Sequence, residues 1–277
     1  MTTAILGVDF TSAPSRRKPI TCAVCELKET LLVVQDCLTL TNFDQFEALL
    51  NSAGPWIAAL DFPFGLPRKL LANLGWPEKW EEYVQLIAAM GKTAFVETLA
   101  YYRESRPAGD KLHLRTTDRL AGSRSPMMMH RVPVGKMFFQ GAPRLLRSGV
   151  SVLPCCPRDD NRIVVEGYPA LVARQCIGKR SYKSDEQKKQ SLDQRNARRD
   201  IVDALCTESV QSAYGVRVRL DDEMADRFVQ EPMGDILDAV LCALQAAWAY
   251  LQRDNEYGIP FGYEQEGWIV IQPTLFN

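Results

Sequence analysis

The sequence predicts an α/β protein, and three observations predict it. Short apolar runs of strand composition alternate with segments of helical spacing. The run WIAALDF at 56–62 is apolar up to Asp61, as expected of a strand buried on both faces of a covered sheet. The segment GDILDAVLCALQAAWAYLQ at 234–252 is apolar almost all round and reads as a buried helix.

The elements follow in order. TAILGVDF at 3–10 is a strand-like run ending in an acid. ITCAVCEL at 20–27 and TLLVVQDCLT at 30–39 suit two further strands, and the turn chemistry of TSAPSRRKP and KE predicts antiparallel hairpins. Phe43, Phe46, Leu49 and Leu50 recur at helical spacing behind Asn42, a candidate N-cap. The fourth strand is 56–62, and PFGLP turns the chain. WPEKWEEYVQLIAAM is helical, with Pro77 suited to the first turn. Between Lys111 and Arg147 stand eight Lys/Arg, one acid (Asp118), both histidines and three consecutive methionines. That composition predicts long loops within an insertion of about 68–160. RIVVE at 162–166 is a fifth strand, again ending in an acid. Helical patterns follow at 168–177, 186–208, 220–230 and 234–252, and GWIVIQP suits a short last strand. The whole reads as one domain over 1–277 carrying an insertion.

Bulk properties exclude several classes. A net charge of −1 gives no whole-chain field toward nucleic acid or membrane, so a polyanion partner needs a local basic surface. No apolar run approaches the roughly 20 residues of a membrane helix, and MTTAILGVDF lacks the basic start of a secretory signal. The eight cysteines are scattered, with a lone CxxC at Cys22 and Cys25. Reduced thiols and a cytoplasmic location are expected.

The acids carry the chemistry. Asp9, Asp61 and Glu166 each end an apolar strand, and functional groups of covered parallel sheets gather at the carboxyl ends of strands. Asp235 and Asp238, at i and i+3, share one face of the last helix. Carboxylates in an apolar setting repel one another and call for a cation, and oxygen-only ligands favour Mg²⁺ or Mn²⁺. Each acid also has a plainer role open to it: Asp235 suits the N-cap of its helix, Asp238 its macrodipole, and Asp9, Asp61 and Glu166 the turns they precede.

GVDFTSAP at 7–14, AALDFPFGLP at 58–67, VEGYPAL at 165–171 and GDILDAVLCAL at 234–244 resemble the motifs of an uncharacterised family of predicted RNase H-like nucleases. The closing helix also resembles that of the RuvC resolvases. The likeness spans about 4–70 and 160–250. It implies an RNase H-like mixed five-stranded sheet flanked by helices, with the helical and looped insertion after the fourth strand. It further implies metal-dependent hydrolysis of phosphodiester bonds in DNA or RNA by two divalent ions. In that scheme Asp9 bridges the ions, Asp61 binds one and Asp238 the other, while Asp235 and Glu166 complete the shell or orient water. EGYPA places Ala170 where the family has a second glutamate. Lys183 matches a family lysine, and Arg195 or Arg198 a later arginine.

A substrate strand needs a cationic track. Residues 111–147, including Arg124, Arg131 and Lys136, and residues 179–199 hold 16 of the 33 basic residues and are the two candidates. Two other functions stay open. One is a module that binds nucleic acid or protein without catalysis. The other is an actin-like or sugar-kinase phosphotransferase, against which stands the lack of clustered glycines after Asp9 and Asp61.

Overall fold

The first three apolar runs form β1 (Thr2–Asp9), β2 (Ile20–Lys28) and β3 (Leu31–Leu40), antiparallel neighbours as their short connections require. This computed structural model describes residues 2–130 and 132–272. Helix α1 (Phe43–Leu50) is capped by Asn42, whose side chain accepts from the Gln45 amide at 2.9 Å. The helix carries the chain back so that β4 (Trp56–Leu60) lies parallel to β1. All five residues of β4 are buried. On its other side β4 pairs in parallel with β6 (Arg162–Glu166).

Five strands were expected, and the sheet has seven, in the order β5-β6-β4-β1-β2-β3-β7. The two extra strands are edges, β5 (Ser151–Val152) and β7 (Arg217–Arg219). Two or three residues are too few to show an alternation. The GWIVIQP tail makes one parallel bridge, Ile269 to Glu166, rather than a full strand.

The sheet has a helix layer on each face. Ile5, Ala23, Ile57, Ala59 and Val165 point to one side. There they meet α6 (Pro169–Ile177), α7 (Leu192–Leu205), α8 (Glu208–Tyr214), α9 (Asp222–Gln230) and α10 (Asp235–Leu251). Leu6, Val8, Ala58, Leu60 and Val164 point to the other side, against α1 and the insertion. The insertion comprises α2 (Arg68–Leu74), α3 (Trp80–Glu104), α4 (Thr116–Ala121) and α5 (Val134–Ser148). It is therefore the second layer of the core, and more helical than its charge suggested. Phe138, Ala142 and Leu145 recur at helical spacing and are buried, as are Met127 and Met129. The predicted helix over 186–208 is α7 behind a 3₁₀ turn at Gln187–Lys189, and α8 begins after a break. All eight cysteines are free. Among the described residues no helix is long and apolar enough to cross a membrane.

Helix α10 fixes the geometry of the end of the sheet. Every residue from Asp235 to Ala249 is buried. Its backbone lies against β1 at Gly7, where an added Cβ would stand 2.0 Å from the Ala239 carbonyl oxygen and 2.1 Å from the Ala243 nitrogen. Gly7→Ala must push helix and sheet apart, at a cost of about 3 kcal/mol or more. Chemical denaturation measures it; an unchanged midpoint would show that the two backbones are not held together there.

Candidate active site

Strand register brings Asp9 and Asp61 together. Val8 pairs with Leu60 across the parallel β1–β4 ladder, so the next residues, Asp9 and Asp61, are neighbours at the carboxyl ends. The Asp61 amide donates to the Val8 carbonyl at 2.9 Å. Both side chains share the sheet face covered by α10, since side chains alternate along a strand. The first turn of α10 adds Asp235 and Asp238 on that face. Gly234 is the N-cap of α10, in the left-handed conformation, so Asp235 does not cap the helix.

Glu166 is not brought into this group. It is registered with Leu60, one residue short of Asp61, and therefore points to the opposite face. There Arg115 of the insertion holds it, with Nη1 to Oε2 at 2.8 Å and Nη2 to Oε1 at 2.6 Å. The Phe64 amide also donates to Oε2, at 2.9 Å. The same guanidinium holds Asp118 through Nη2 at 2.7 Å and Nε at 3.0 Å. All three side chains are almost wholly inaccessible. Burial works against the charge of Arg115, but Glu166 and Asp118 overcome it and raise its pKa well above the usual value.

Two of the acids on the α10 face have cationic partners. The loop after α6 passes over the start of α10. Lys183 pairs with Asp238 Oδ2, and the Tyr182 hydroxyl donates to Asp238 Oδ1 at 2.6 Å. Lys18, in the loop after β1, donates to Asp235 Oδ1 and to Asp185 Oδ1, each at 2.7 Å. The Asp9 and Asp61 carboxylates accept no hydrogen bond among the described residues. Asp9 is 6% exposed and Asp61 partly exposed. Burial raises the Asp9 pKa well above the carboxylate range; Lys183 opposes, while Asp235, Asp238 and Asp61 add to it. Asp61 is pushed up to about 7, by burial first and then by Asp238 and Glu166, against Lys183.

A hard divalent cation is suited by this donor chemistry, because buried Asp9 and half-buried Asp61 have no partner among the described residues, repel each other and offer only oxygen. As they stand, no three His, Cys, Asp or Glu side chains among the described residues are grouped to hold an ion. Asp238 is the third carboxylate, and its partner is Lys183.

The basic candidates are dispersed. Arg195 is exposed on α7, Lys136 partly exposed on α5 and Arg124 exposed in the loop after α4. Arg198 is buried and donates to the carbonyls of Val229 at 2.9 Å and Tyr182 at 2.7 Å, which fastens the Tyr182–Lys183 loop. Arg131 lies outside the described residues. Sequence reasoning passed over Lys18, Arg115 and Tyr182. The signal for Arg115 was at hand, since Asp118, three residues on, is the lone acid of its basic stretch.

A family model described as a protein of unknown function, DUF429, matches residues 7–260. No curated protein and no solved structure matches the chain.

Two predictions follow from the charges. Asp61 titrates near 4 when unfolded and about 7 when folded. Between those values the folded state keeps a proton that the unfolded chain has lost, so stability falls as pH rises from about 4 to about 7. Asp61→Asn removes that slope, and its melting temperature should gain on the native protein's between pH 5 and pH 8. A constant difference would mean that Asp61 titrates normally. Arg115→Leu leaves Glu166 and Asp118 buried without a countercharge and should cost about 3–5 kcal/mol in urea denaturation.

Proposed function

The chain belongs to the DUF429 family, whose description assigns no activity, and we propose that it is a divalent-cation-dependent phosphodiester hydrolase acting on nucleic acid. One observation carries the reading: Asp9 and Asp61, at the ends of adjacent parallel strands, face Asp235 and Asp238 and have no partner of their own among the described residues. On the RNase H-like reading of this mixed sheet, Asp9, Asp61 and Asp238 would hold Mg²⁺ or Mn²⁺. A bound ion supplies Lewis acidity toward a phosphoryl oxygen and charge for the leaving group.

The chain's own residues do the rest. Asp9 ends β1 against the first turn of α10 and is the acid that feels Asp61, Asp235 and Asp238 together. Tyr182 fixes the orientation of Asp238 through its hydroxyl. Lys18 and Lys183 keep ammonium groups beside the acids, where phosphate oxygens find donors. Asp235, tied to Lys18, holds that loop against α10. Glu166 acts from the other face by anchoring the insertion through Arg115.

The Lys183–Asp238 pair favours a second reading. An ammonium already balances part of the negative charge, as suits a module that binds nucleic acid without cleaving it. Metal binding separates the two. Millimolar Mn²⁺ should raise the melting temperature of the native protein, and more at pH 8 than at pH 5, because protons and cation compete for the same carboxylates. Asp9→Asn should abolish that shift and lower Mn²⁺-dependent cleavage of a mixed single- and double-stranded substrate by about 100-fold or more. Undiminished cleavage by Asp9→Asn defeats the assignment of hydrolysis to these acids; no thermal shift in the native protein leaves the binding module.

A further inference from the structure

A pocket of about 260 Å³ adjoins Asp61 on the insertion side. Phe62 and Tyr168 line it from the core, Val132, Val134 and Met137 from the insertion, and exposed Arg124 lines it as well. We propose that this pocket receives one unpaired nucleobase, whose sugar-phosphate is thereby led toward Asp9 and Asp61. The inference rests on the phosphodiesterase reading and names its substrate class.

Size is the first reason. The volume falls just below the roughly 300–1,000 Å³ of sites for drug-sized ligands. It suits a single heterocycle and is too small for a base pair. The lining chemistry is the second. Aromatic and aliphatic side chains offer a stacking surface, which every base can use because every base has a π-face. Tyr168 is held from outside by the Arg174 guanidinium, 5.3 Å from the ring centroid.

Charge is the third reason. Glu166 and Asp118 also line the pocket; Arg115, paired with both, offsets one of their two charges, and Arg124 in the same lining offsets the other. Arg124 has no ion-pair partner among the described residues, and its charge is free to meet a phosphate oxygen. Placement is the fourth. Asp61 belongs both to the pocket lining and to the carboxylate group, so a base seated here has its phosphate near the acids. A duplex would have to unstack the base first, which disfavours paired substrate.

The test is the fluorescence of 2-aminopurine, titrated with the full chain in EDTA so that no cleavage occurs. The probe is presented as a mononucleotide, within a single-stranded oligonucleotide and within its fully paired duplex. The expected result is saturable quenching of the unpaired forms and binding at least about tenfold weaker for the duplex. Tyr168→Ala should lose about tenfold or more in affinity and Tyr168→Phe should keep it. Val132→Asp should also weaken binding, and since Val132 is exposed its fold is not at risk. Equal affinity for mononucleotide and oligonucleotide assigns the pocket to free nucleotides; tighter oligonucleotide binding assigns it to strands.

Duplex bound as tightly as single strand, or quenching indifferent to both Tyr168→Ala and Val132→Asp, overturns the pocket. Because the titration excludes metal, Asp9→Asn activity is scored separately. Quenching without Mn²⁺-dependent cleavage keeps the base pocket and removes the hydrolase; cleavage without Tyr168-sensitive quenching does the reverse.

Discussion

The contact of two backbones at Gly7 governs the end of the sheet. A side chain there would overlap the Ala239 carbonyl, so β1 and α10 meet with nothing between them. Asp9 lies two residues beyond Gly7, and Asp238 one residue before Ala239. The contact that closes the core thus forces the carboxylate of a central strand against the first turn of a helix carrying two more. Because α10 is buried on all sides, these acids have little water to share their charge. Compensation has to come from elsewhere in the chain. It arrives on two loops, with Lys18 after β1 and Lys183 after α6.

Alternation along the strands divides the remaining acid from the group. Glu166 ends β6 as Asp61 follows β4, but the register offset of one residue sends it through to the other face. An unpaired carboxylate in that face would oppose folding, and Arg115 offsets part of that cost by spanning Glu166 and Asp118 at once, although burial still raises the Glu166 pKa. The guanidinium is thereby a fastening as well as a countercharge, since it binds the insertion to the end of β6 and also donates to the Glu266 carbonyl at 3.0 Å. The insertion covers one face of the sheet and, fastened there, walls the pocket beside Asp61. Gly141 lets α5 approach the Phe62 ring so closely that a Cβ would lie 2.3 Å from it, which sets the helix carrying Val134 and Met137.

What was legible in the sequence follows the same physics. Central strands are long and apolar, so β1 to β4 and β6 showed themselves, and so did α10. Edge strands of two or three residues carry no period, hence seven strands in place of five. The convergence of Asp9 and Asp61 could be read from strand ends alone. The parity of Glu166 could not, because it depends on the register of β4 with β6, two strands separated in sequence by the whole insertion. Ion pairs were the least legible. Lys18 meets Asp235 across 217 residues and leaves no local mark. Charge composition also misled about position: Arg198 sits in a basic stretch, yet its guanidinium is spent on carbonyls inside the protein. In α5, Arg and Lys on the outer face masked a helical stripe.

Countercharge then separates structural acids from available ones. Of the five acids at this end of the sheet, Glu166, Asp235 and Asp238 are held by Arg115, Lys18 and Lys183. Asp9 and Asp61 have no such holder among the described residues, and burial together with their neighbours favours their protonated forms. A fold can keep such groups only as neutral acids or by meeting them with a positive charge from outside the chain. The first option costs nothing at low pH and grows costly as pH rises. The second reverses that dependence, because a cation displaces the proton and is held more firmly at higher pH. Lys183 stands between the two options. Its ammonium both lowers the pKa of Asp9 and occupies Asp238, so any cation that recruits Asp238 must compete with a charge the chain already supplies. The balance at Asp238 therefore sets whether this group of acids stays closed upon itself or opens to a ligand.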